Sequence, residues 1–397
     1  MSRALLEASV NRSGLVDFTV SIPTVAMWER DQKCEAVISD AMRWANQVTG
    51  HSSGACLFGD IEELLPYRTF DPSWTYSRKL QATLQCAGTS PWGHCTFHAQ
   101  TCSTGKVSSM DVSGLPCPDM SLAGKRRKRA GSTNGVYCAR GKYVTQHKVP
   151  IVITECTPEL DMGLMEDTHP EHHMFQMFAE PGDVGFAATA RRRTWVIGMH
   201  QDRSTIRQDP YELLESVKGL FANDPTTVQD YLVASRAEVL LEASQLAQKR
   251  RIPFQADCLD LTYLLTQREK ETAAALNARF QEQFGRNAEL EPALVYHLGD
   301  SATFGSWSAV SGRIPTYRVG AKSSVYWLPH YKRFLTAKEK LISMGWPSVP
   351  EIASSMHVPL FGASDPRRAG DLLGNAMHMQ ICGLMQLLAL VSFSPNL

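Results

Sequence analysis

Cys117 stands between two prolines in the segment SGLPCPDMS, which spans residues 113–121. A proline fixes its own backbone dihedral and so aims the residue that follows it. The basic run Lys125–Arg129 comes shortly afterwards, and neighbouring cations favour the ionised thiol, which is the nucleophile. An inert buried thiol is the alternative, because free cysteine is among the most commonly buried residues. The segment therefore predicts an attacking thiolate, to be weighed against the rest of the chain.

Acidic side chains follow several short apolar runs in the first half of the chain. Three such runs, each with the acid that ends it, are 36–39 with Asp40, 55–58 with Asp60, and 149–154 with Glu155. An open α/β sheet binds its ligands at the carboxyl ends of its parallel strands. Any one of these acids could instead simply begin a turn. Together they favour a ligand-binding sheet edge.

The elements expected around these residues change along the chain. Short apolar runs alternate with helical stretches up to about residue 205, which is typical of a βαβ sheet domain and predicts the α/β class. Residues 14–18 would form a first strand, and residues 194–198 a late one. Helical spacing follows over 228–247 and 259–284, ending at Gly285, and again over 338–344 and 374–388.

Length and charge limit the classes of function. A chain of 397 residues predicts two domains, and 40 basic against 40 acidic residues give no overall attraction to nucleic acid. Any such footprint must be local. The local basic clusters, each of which could simply be a solvated face, are 125–129, 191–193, 249–251 and 367–368.

The ten cysteines follow no regular spacing, and the sequence contains no CxxC pair. With no secretory leader evident, we expect reduced thiols in an intracellular protein. His169, His172 and His173 lack a matching set of cysteines or carboxylates, so no metal site is predicted. The apolar stretch 381–393 is too short to cross a bilayer and predicts a terminal core helix, so no membrane partner is expected.

Five segments resemble, in the same order along the chain, motifs of the cytosine-C5 DNA methyltransferases. Residues 111–121, followed by Leu122-Ala123-Gly124-Lys125, are similar to the nucleophile loop of that family. The other four are IVITECTPELD (151–161), ATARRRTWVIG (188–198), RFLTAKEKLISMGWP (333–347) and LGNA (373–376). The ordered set is more specific than any one motif, and it covers most of the chain outside 200–315.

The resemblance implies a fold and a division of the chain. The fold would be the Rossmann-like sheet of the S-adenosylmethionine-dependent methyltransferases, with a smaller, partly helical target-recognition domain. Residues 1–205 would be the catalytic and cofactor-binding domain. Residues 206–328 would form the target-recognition region with a helical insertion, and residues 329–397 would return to the catalytic domain.

The resemblance also implies a reaction on a base extruded from duplex DNA. Cys117 would attack C6 of cytosine, and Glu155 would hydrogen-bond or protonate N3. Arg191 and Arg193 would orient the base edge and the phosphate with their planar guanidinium groups. The loop after Cys117 would contact DNA. Its nucleic-acid-binding residues would be Ser121, Lys125, Arg126, Arg127, Lys128 and Arg129.

By the same resemblance, S-adenosylmethionine would be the cofactor. Its site would comprise Phe18, Asp40 on the ribose, Asp60 on the adenine edge, Pro116, and Asn375 in support of the pocket. The first cofactor motif of the family is a glycine-rich turn, whereas the stretch 17–24 taken to correspond to it here has no glycine. Side chains there would crowd a close backbone approach.

That departure motivates a second hypothesis, a degenerate relative that binds DNA or protein without catalysis. A third is the tRNA-directed branch of the family, whose Cys-Phe-Thr signature the sequence lacks. The run 125–129 could also act as a nuclear-import signal. The protein is therefore expected in the nucleus of a eukaryote, and otherwise in the cytoplasm.

Overall fold

The computed structural model describes residues 1–14, 16–51, 54–66, 70–71, 73–106, 108–121, 124–223, 225–300, 312–318, 325–361 and 373–396, the side chain of Lys33 excepted. The strands are β1 (Ala26–Trp28), β2 (Cys56–Phe58), β3 (Trp92–Cys95), β4 (Gln100–Ser103), β5 (Met110–Gly114), β6 (Ile151–Cys156), β7 (His172–Ala179), β8 (Arg193–His200), β9 (Ser204–Ile206), β10 (Tyr296–His297), β11 (Tyr326–Leu328), β12 (Arg333–Phe334) and β13 (Phe393–Pro395). The helices are α1 (Ser2–Ser13), α2 (Gln32–Thr49), α3 (Tyr76–Gln85), α4 (Asn134–Gln146), α5 (Met162–Thr168), α6 (Pro210–Phe221), α7 (Arg236–Arg250), α8 (Gln267–Phe284), α9 (Ala337–Ser343), α10 (Pro350–Ser355) and α11 (Met379–Ser392).

The chain divides into two compact units. The first comprises Met1–Ala179, Arg192–Ser216 and Ile381–Leu397, and the second comprises Glu180–Arg191 and Val217–Gln380. The second unit thus continues past residue 328, where the sequence-based division placed a boundary. The target-recognition role of 206–328 stays a prediction.

The main sheet of the first unit contains four strands in the order β5-β6-β8-β7. β5 and β6 are parallel, whereas β8 runs antiparallel to both of its neighbours. The predicted α/β class is confirmed, with a mixed rather than a purely parallel sheet. The strands predicted over 149–154 and 194–198 are β6 and β8, shifted by one or two residues.

Burial explains why β6 and β8 lie at the centre of this sheet. Every residue of β6 is buried, as is every residue of β8 after Arg193, and both strands are rich in β-branched side chains. The buried Arg140 of α4 donates to Asp111 of β5 at 2.8 Å and to Thr154 of β6 at 2.7 Å. These bonds tie α4 to the two parallel strands that end at the candidate site.

A second parallel pair, β1 with β2, brackets α2 and forms a βαβ unit. Two strand predictions in this region are wrong. Residues 14–18 follow the end of α1, where Gly14 takes a left-handed φ of 66° as the helix C-cap. Residues 36–39 lie inside α2, which buries Met42, Trp44 and Ala45 on one side. The short apolar run there is a segment of a helical stripe, since helix and strand cannot be told apart over four residues.

The second unit is built on two long helices, α7 and α8. Each begins with a capping box, Ser235 with Glu238 and Thr266 with Glu269, and α8 ends at Gly285 in the left-handed conformation. The predicted helix stop at Gly285 is therefore confirmed. Buried apolar residues of both helices pack with β10, β11 and β12 in one core.

Within the second unit, the block that begins at Arg333 is held by a buried ion pair. The Arg333 guanidinium donates to both carboxylate oxygens of Glu339 at 2.8 Å. Glu339 also closes the capping box of α9 with Thr336. This part of the resemblance thus corresponds to a structural clamp at the start of α9.

The predicted C-terminal helix is present as α11, and it carries buried apolar side chains such as Met385 and Leu388. Among the described residues, no helix combines the length and the apolar character needed to cross a bilayer.

Candidate functional site

Cys117 lies three residues beyond the end of β5. Gly114, the last residue of that strand, pairs in parallel register with Glu155 on β6. The Leu115 N–H still donates to the Glu155 carbonyl oxygen at 3.1 Å. Because parallel neighbours end at the same edge of a sheet, Cys117 and Glu155 both lie at the carboxyl ends of β5 and β6.

Two buried side chains support the loop that carries Cys117. The Tyr137 hydroxyl donates to the Pro116 carbonyl at 3.3 Å and lies 3.6 Å from the Cys156 sulfur. Burial raises the pKa of the Cys156 thiol to about 12 and raises the pKa of Tyr137 well above its usual value. Both groups therefore stay neutral near neutral pH. Tyr137 thus holds Pro116 in place, and neither group competes with Cys117 as a nucleophile.

Glu155 forms a buried ion pair with Arg193, the first residue of β8. Its Oε1 lies 3.0 Å from the Arg193 Nε, and the two side chains are 10% and 16% exposed. The antiparallel register places Glu155 opposite Trp195 and Cys156 opposite Thr194. This register brings the start of β8 to the end of β6, and the charge-assisted contact orients the carboxylate.

The first unit therefore brings Cys117, Glu155 and Arg193 to one edge of its main sheet. After burial, which is the largest cause, Glu155 and Cys117 are among the groups that raise the pKa of the Cys156 thiol. Cys117 is only partly buried and rests against the apolar cluster beneath the loop. A thiol, a carboxylate and a guanidinium can together attack an electron-poor ring, bind its nitrogen edge and bind its carbonyl oxygen.

Arg191, predicted to act beside Arg193, precedes β8 and belongs to the second unit. Its side chain is buried there, and its Nη2 donates to the Ala376 carbonyl at 2.6 Å. Burial, with Arg191 as a further cause, lowers the pKa of His378 to about 3. In the second unit Arg191 thus holds the segment that follows Asn375, and its predicted contact with the base stays a prediction.

The loop after Cys117 closes around the buried carboxylate of Asp119. Asp119 accepts hydrogen bonds from the Thr133 backbone at 3.0 Å, the Thr133 hydroxyl at 2.9 Å and the Arg127 Nε at 3.0 Å. Burial alone would raise the pKa of Asp119, but these bonds lower it. A Cβ on Gly131 would lie only 2.1 Å from the Asp119 Cγ, so the loop needs glycine at this approach.

Two members of the basic run form ion pairs with carboxylates. Arg127 pairs with Asp119, and Arg129 pairs with Asp161 at 3.1 Å and with Asp167 at 3.0 Å. These contacts hold the loop against its own unit. All five residues of the run, Lys125 to Arg129, are nevertheless exposed, and their contacts with phosphate stay predictions.

Ser121 lies at the start of this loop, where its N–H donates to the Cys117 carbonyl at 2.9 Å. Leu122 and Ala123, which belong to the resemblance at the nucleophile loop, lie outside the described residues, as does the basic pair Arg367-Arg368.

The first cofactor motif is not where the sequence predicted it. The strand that opens the βαβ unit is β1, so the turn before α2 is Glu29-Arg30-Asp31, which also lacks glycine. The Asp31 N–H donates to the Glu29 side chain, and the Cys34 N–H donates to the Asp31 carbonyl, both at 2.8 Å. A helix N-terminus normally offers such donors to an anion. Here two N–H groups are used internally and two carboxylates stand nearby, so this turn is a poor site for the carboxylate of the methionine half of S-adenosylmethionine.

Asp60 does lie beyond the end of β2, the second strand of the βαβ unit, as predicted. It caps a short turn by accepting from the Glu62 N–H at 3.0 Å, and Arg30 lies 3.9 Å from its carboxylate. An acid after the second strand of such a unit binds ribose hydroxyls. The geometry therefore fits Asp60 to the ribose rather than to the adenine edge.

Neither Asp40 nor Phe18 lies at the end of a strand, although their assignment to the cofactor site assumed that they do. Asp40 lies in the middle of α2 and pairs with Arg43 one turn later. Phe18 lies in a bend after α1 and is 68% exposed. Asn375 is exposed in the second unit. Cofactor contacts at these three positions stay predictions.

His169 and His172 are buried and bonded within the fold. The His172 Nε2 donates to the Val149 carbonyl at 2.9 Å, and the His169 Nδ1 lies 3.1 Å from the Met165 carbonyl. Sequence reasoning missed a different cluster, formed by Cys56, Cys95, His98 and Cys102. The spacing Cys95-x2-His98-x3-Cys102 was the available signal.

Comparison with solved structures finds chains that are similar over most of their length. They include a mutant DNMT2 of Spodoptera frugiperda, at 11% identity and a TM-score of 0.42 over 97% of this chain and 96% of that one. The Entamoeba histolytica methyltransferase EhMeth is 10% identical, at a TM-score of 0.43 over 98% and 94%. A putative DNA modification methyltransferase from an E. coli prophage is 15% identical, at a TM-score of 0.35 over 71% and 80%. No family model and no curated protein matches the chain.

Proposed function

We propose that this chain is a cytosine-C5 methyltransferase that acts on DNA through a covalent bond from Cys117. The observation that carries the proposal is the shared sheet edge, where the Cys117 loop leaves β5 beside the buried Glu155–Arg193 pair. A structural ion pair alone would not need a partly exposed cysteine presented by a proline-framed loop next to it. The ordered motifs of the sequence support the same reaction.

The chemistry assigned to these residues is activation of the ring. Cytosine C5 is a poor nucleophile, so the Cys117 thiolate first forms a bond to C6. The electrons of the C5–C6 double bond move towards N3, which takes up a proton, and C5 becomes nucleophilic. Glu155 binds the N3 and amino edge of the base, and Arg193 orients it from the neighbouring strand.

S-adenosylmethionine is the proposed methyl donor, and its fit is incomplete. Asp60 fits the ribose, whereas the acidic turn 29–31 is a poor site for the methionine carboxylate. When bound, the cofactor would supply an electrophilic methyl group. The chain's own residues account for activation of the base.

DNA is the proposed partner because the Cys117 loop presents cations beside the nucleophile. Lys125, Arg126 and Lys128 are exposed, and Ser121 lies between them and Cys117. Such side chains bind phosphates without reading sequence. Their approach to the backbone would hold an extruded cytosine over the thiolate.

A second candidate is a relative that binds DNA and attacks the base but transfers no methyl group. The glycine-free turn 29–31, with its carboxylates at the start of α2, favours it. The two candidates differ in a measurable way. Addition to C6 makes the C5 hydrogen exchange with water even without a methyl donor.

The test is a transfer assay with tritium-labelled S-adenosylmethionine, run on duplex DNA and on tRNA. We expect label in duplex DNA with the wild type and with Cys86→Ser, a control thiol away from the loop, and none with Cys117→Ser. Labelling of tRNA alone would overturn the choice of DNA. Exchange of the C5 hydrogen without methyl transfer would favour the second candidate, and absence of both would exclude the two.

A further inference from the structure

Three cysteines and one histidine come together on β2 and on the hairpin formed by β3 and β4. Cys56 opens β2, Cys95 ends β3, His98 lies in the connecting turn, and Cys102 lies in β4. Their ligand atoms all lie within 4.8 Å of one another, although Cys56 is far from the others in sequence. The fold therefore assembles a four-residue cluster that plays no part in the proposed reaction.

The geometry of this cluster is not that of a hydrogen-bond network. The sulfurs of Cys56, Cys95 and Cys102 lie 3.6, 3.3 and 3.4 Å from the same atom, the Nδ1 of His98. One imidazole nitrogen either donates a hydrogen bond or accepts one, so it does not account for three converging sulfurs. All three cysteines are free thiols, so a disulfide does not account for the convergence either.

We propose that Cys56, Cys95, His98 and Cys102 bind one zinc ion. Tetrahedral coordination, with Zn–S near 2.3 Å and Zn–N near 2.05 Å, separates a sulfur from the nitrogen by about 3.6 Å. The observed separations, 3.3 to 3.6 Å, agree with that value. Sulfur and imidazole ligands in tetrahedral array favour zinc over hard cations such as magnesium.

Four protein ligands fill a tetrahedral ion, so the site is structural rather than catalytic. Binding releases the three thiol protons, and the resulting complex carries one net negative charge. Lys106 supplies a nearby positive charge, because it interacts with Cys56 while its Nζ donates to the Gly54 carbonyl at 2.9 Å.

The hairpin formed by β3 and β4 buries too little of its surface to be stable without a further link to the rest of the unit. β3 and β4 are four residues each, and of their eight residues only Cys95 is buried. Trp92 at the start of β3 is 61% exposed. An isolated two-stranded hairpin is marginally stable at best in water. Zinc would join it to β2, the strand that leads to Asp60, in the way that metal ions stabilise small domains with little apolar core.

The test is the metal content of the reduced full-length chain, expressed with zinc and washed with a weak chelator. We expect about one zinc per chain by elemental mass spectrometry. Cobalt, added to metal-free protein, should saturate at one equivalent, with thiolate-to-cobalt charge-transfer bands and the intense visible bands of a tetrahedral site. Absence of zinc together with absence of these bands would overturn the proposal.

Matched variants locate the ligands. Cys102→Ser and His98→Ala should retain roughly one tenth of the zinc or less after the same wash. Loss of a residue that only orients a metal ligand already weakens binding about tenfold or more, and loss of the ligand itself should weaken it at least as much. Cys86→Ser, a partly buried thiol of the same unit outside the cluster, should retain it all. Full zinc retention in both ligand variants would contradict the assignment. Should a variant fail to fold, the cobalt spectrum of the wild type decides.

Discussion

Glu155 and Arg193 form a buried ion pair between the end of β6 and the start of β8, with Oε1 3.0 Å from Nε. Burying two charges is costly, and a pair of this kind adds little to stability compared with apolar residues of the same volume. Its position beside the Cys117 loop gives it a functional reason, because it presents an oriented carboxylate and guanidinium at one sheet edge. The pair is therefore expected to matter for the reaction as well as for the fold.

Replacing Arg193 separates these two contributions. Arg193→Gln leaves Glu155 buried without its cation, so we expect the free energy of unfolding to fall by about 3 kcal/mol and exchange of the cytosine C5 hydrogen to fall sharply. Denaturant unfolding and tritium exchange measure the two effects. Arg192→Gln, at the exposed neighbour that stacks on Phe178, is the control and should alter neither. Exchange at the wild-type rate in Arg193→Gln would remove this residue from the site.

A substitution at Gly131 tests whether the hydrogen bonds that Asp119 accepts fix the conformation of the loop after Cys117. In Gly131→Ala the new Cβ would meet the Asp119 carboxylate at 2.1 Å, so the loop must shift, at a cost of about 1–3 kcal/mol. We expect faster proteolysis within the loop 121–131 and slower base exchange. Gly219→Ala is the matched control, because, its own helix backbone and chain neighbours aside, no described residue has an atom within 4 Å of the added Cβ. Equal proteolysis rates in the two variants would show that the loop does not depend on this approach.

Substitutions at Asp60 and at Asp40 are expected to affect S-adenosylmethionine binding differently. Asp60 lies at the position that binds ribose, whereas Asp40 lies within α2 beside Arg43. Asp60→Asn should therefore weaken S-adenosylmethionine binding roughly tenfold, as expected for loss of a charged hydrogen-bond acceptor, and Asp40→Asn should not. Isothermal titration measures both. Weaker binding by Asp40→Asn would support the ribose contact that the resemblance implies for Asp40, and no binding by the wild type would favour the second candidate function.

Buried histidines predict how stability depends on pH. Burial lowers the pKa of His169 well below its usual value, that of His172 to about 4 and that of His378 to about 3. In the unfolded chain a histidine titrates near 6.5. Below about pH 6.5 the unfolded chain therefore binds protons that the folded chain does not, and stability falls as the pH is lowered. Glu242 acts in the opposite direction, because burial raises its pKa to about 7. Between its unfolded pKa and about pH 7 it holds a proton in the folded chain but not in the unfolded chain, so its contribution to stability rises as the pH is lowered.

The contribution of His172 can be isolated. His172→Gln should make the free energy of unfolding less dependent on pH between about 6 and 5, by up to about 1.4 kcal/mol per pH unit. Urea unfolding at the two pH values measures the slope. His94→Gln, at an exposed position on β3, is the control and should keep the wild-type slope. A slope in His172→Gln equal to that of the wild type would contradict the buried-neutral state.

Long buried runs were predictable from the sequence, and short ones were not. β6 and β8 are apolar and β-branched along their whole length, so only one conformation satisfies them. Residues 36–39 carry the same kind of residues but lie in α2, because the helical stripe extends to Ala45 and decides their conformation. The strand predicted over 14–18 is a separate error, and placing a strand there also misplaced the cofactor turn over 17–24.

The position of Glu155 at the end of a strand was predictable because β6 is apolar and β-branched, whereas Cys117 was marked only by its two prolines and the basic run, since β5 is short and partly exposed. The partners of Arg127 and Arg129 were not predictable, because Asp119, Asp161 and Asp167 become neighbours only when the loop folds back. The four-residue cluster was hidden for a similar reason. Cys56 meets the other three only through the packing of the hairpin on β2.

The most direct measurement is covalent capture on duplex DNA that contains 5-azacytosine. Its ring nitrogen takes up a proton after the thiolate adds to C6, so the adduct needs no methyl donor. We expect a denaturant-stable adduct with the wild type and with Cys86→Ser, mapped by peptide mass spectrometry to Cys117, and none with Cys117→Ser. An adduct that persists in Cys117→Ser, or no adduct with the folded wild type, would contradict the claim that Cys117 attacks the base.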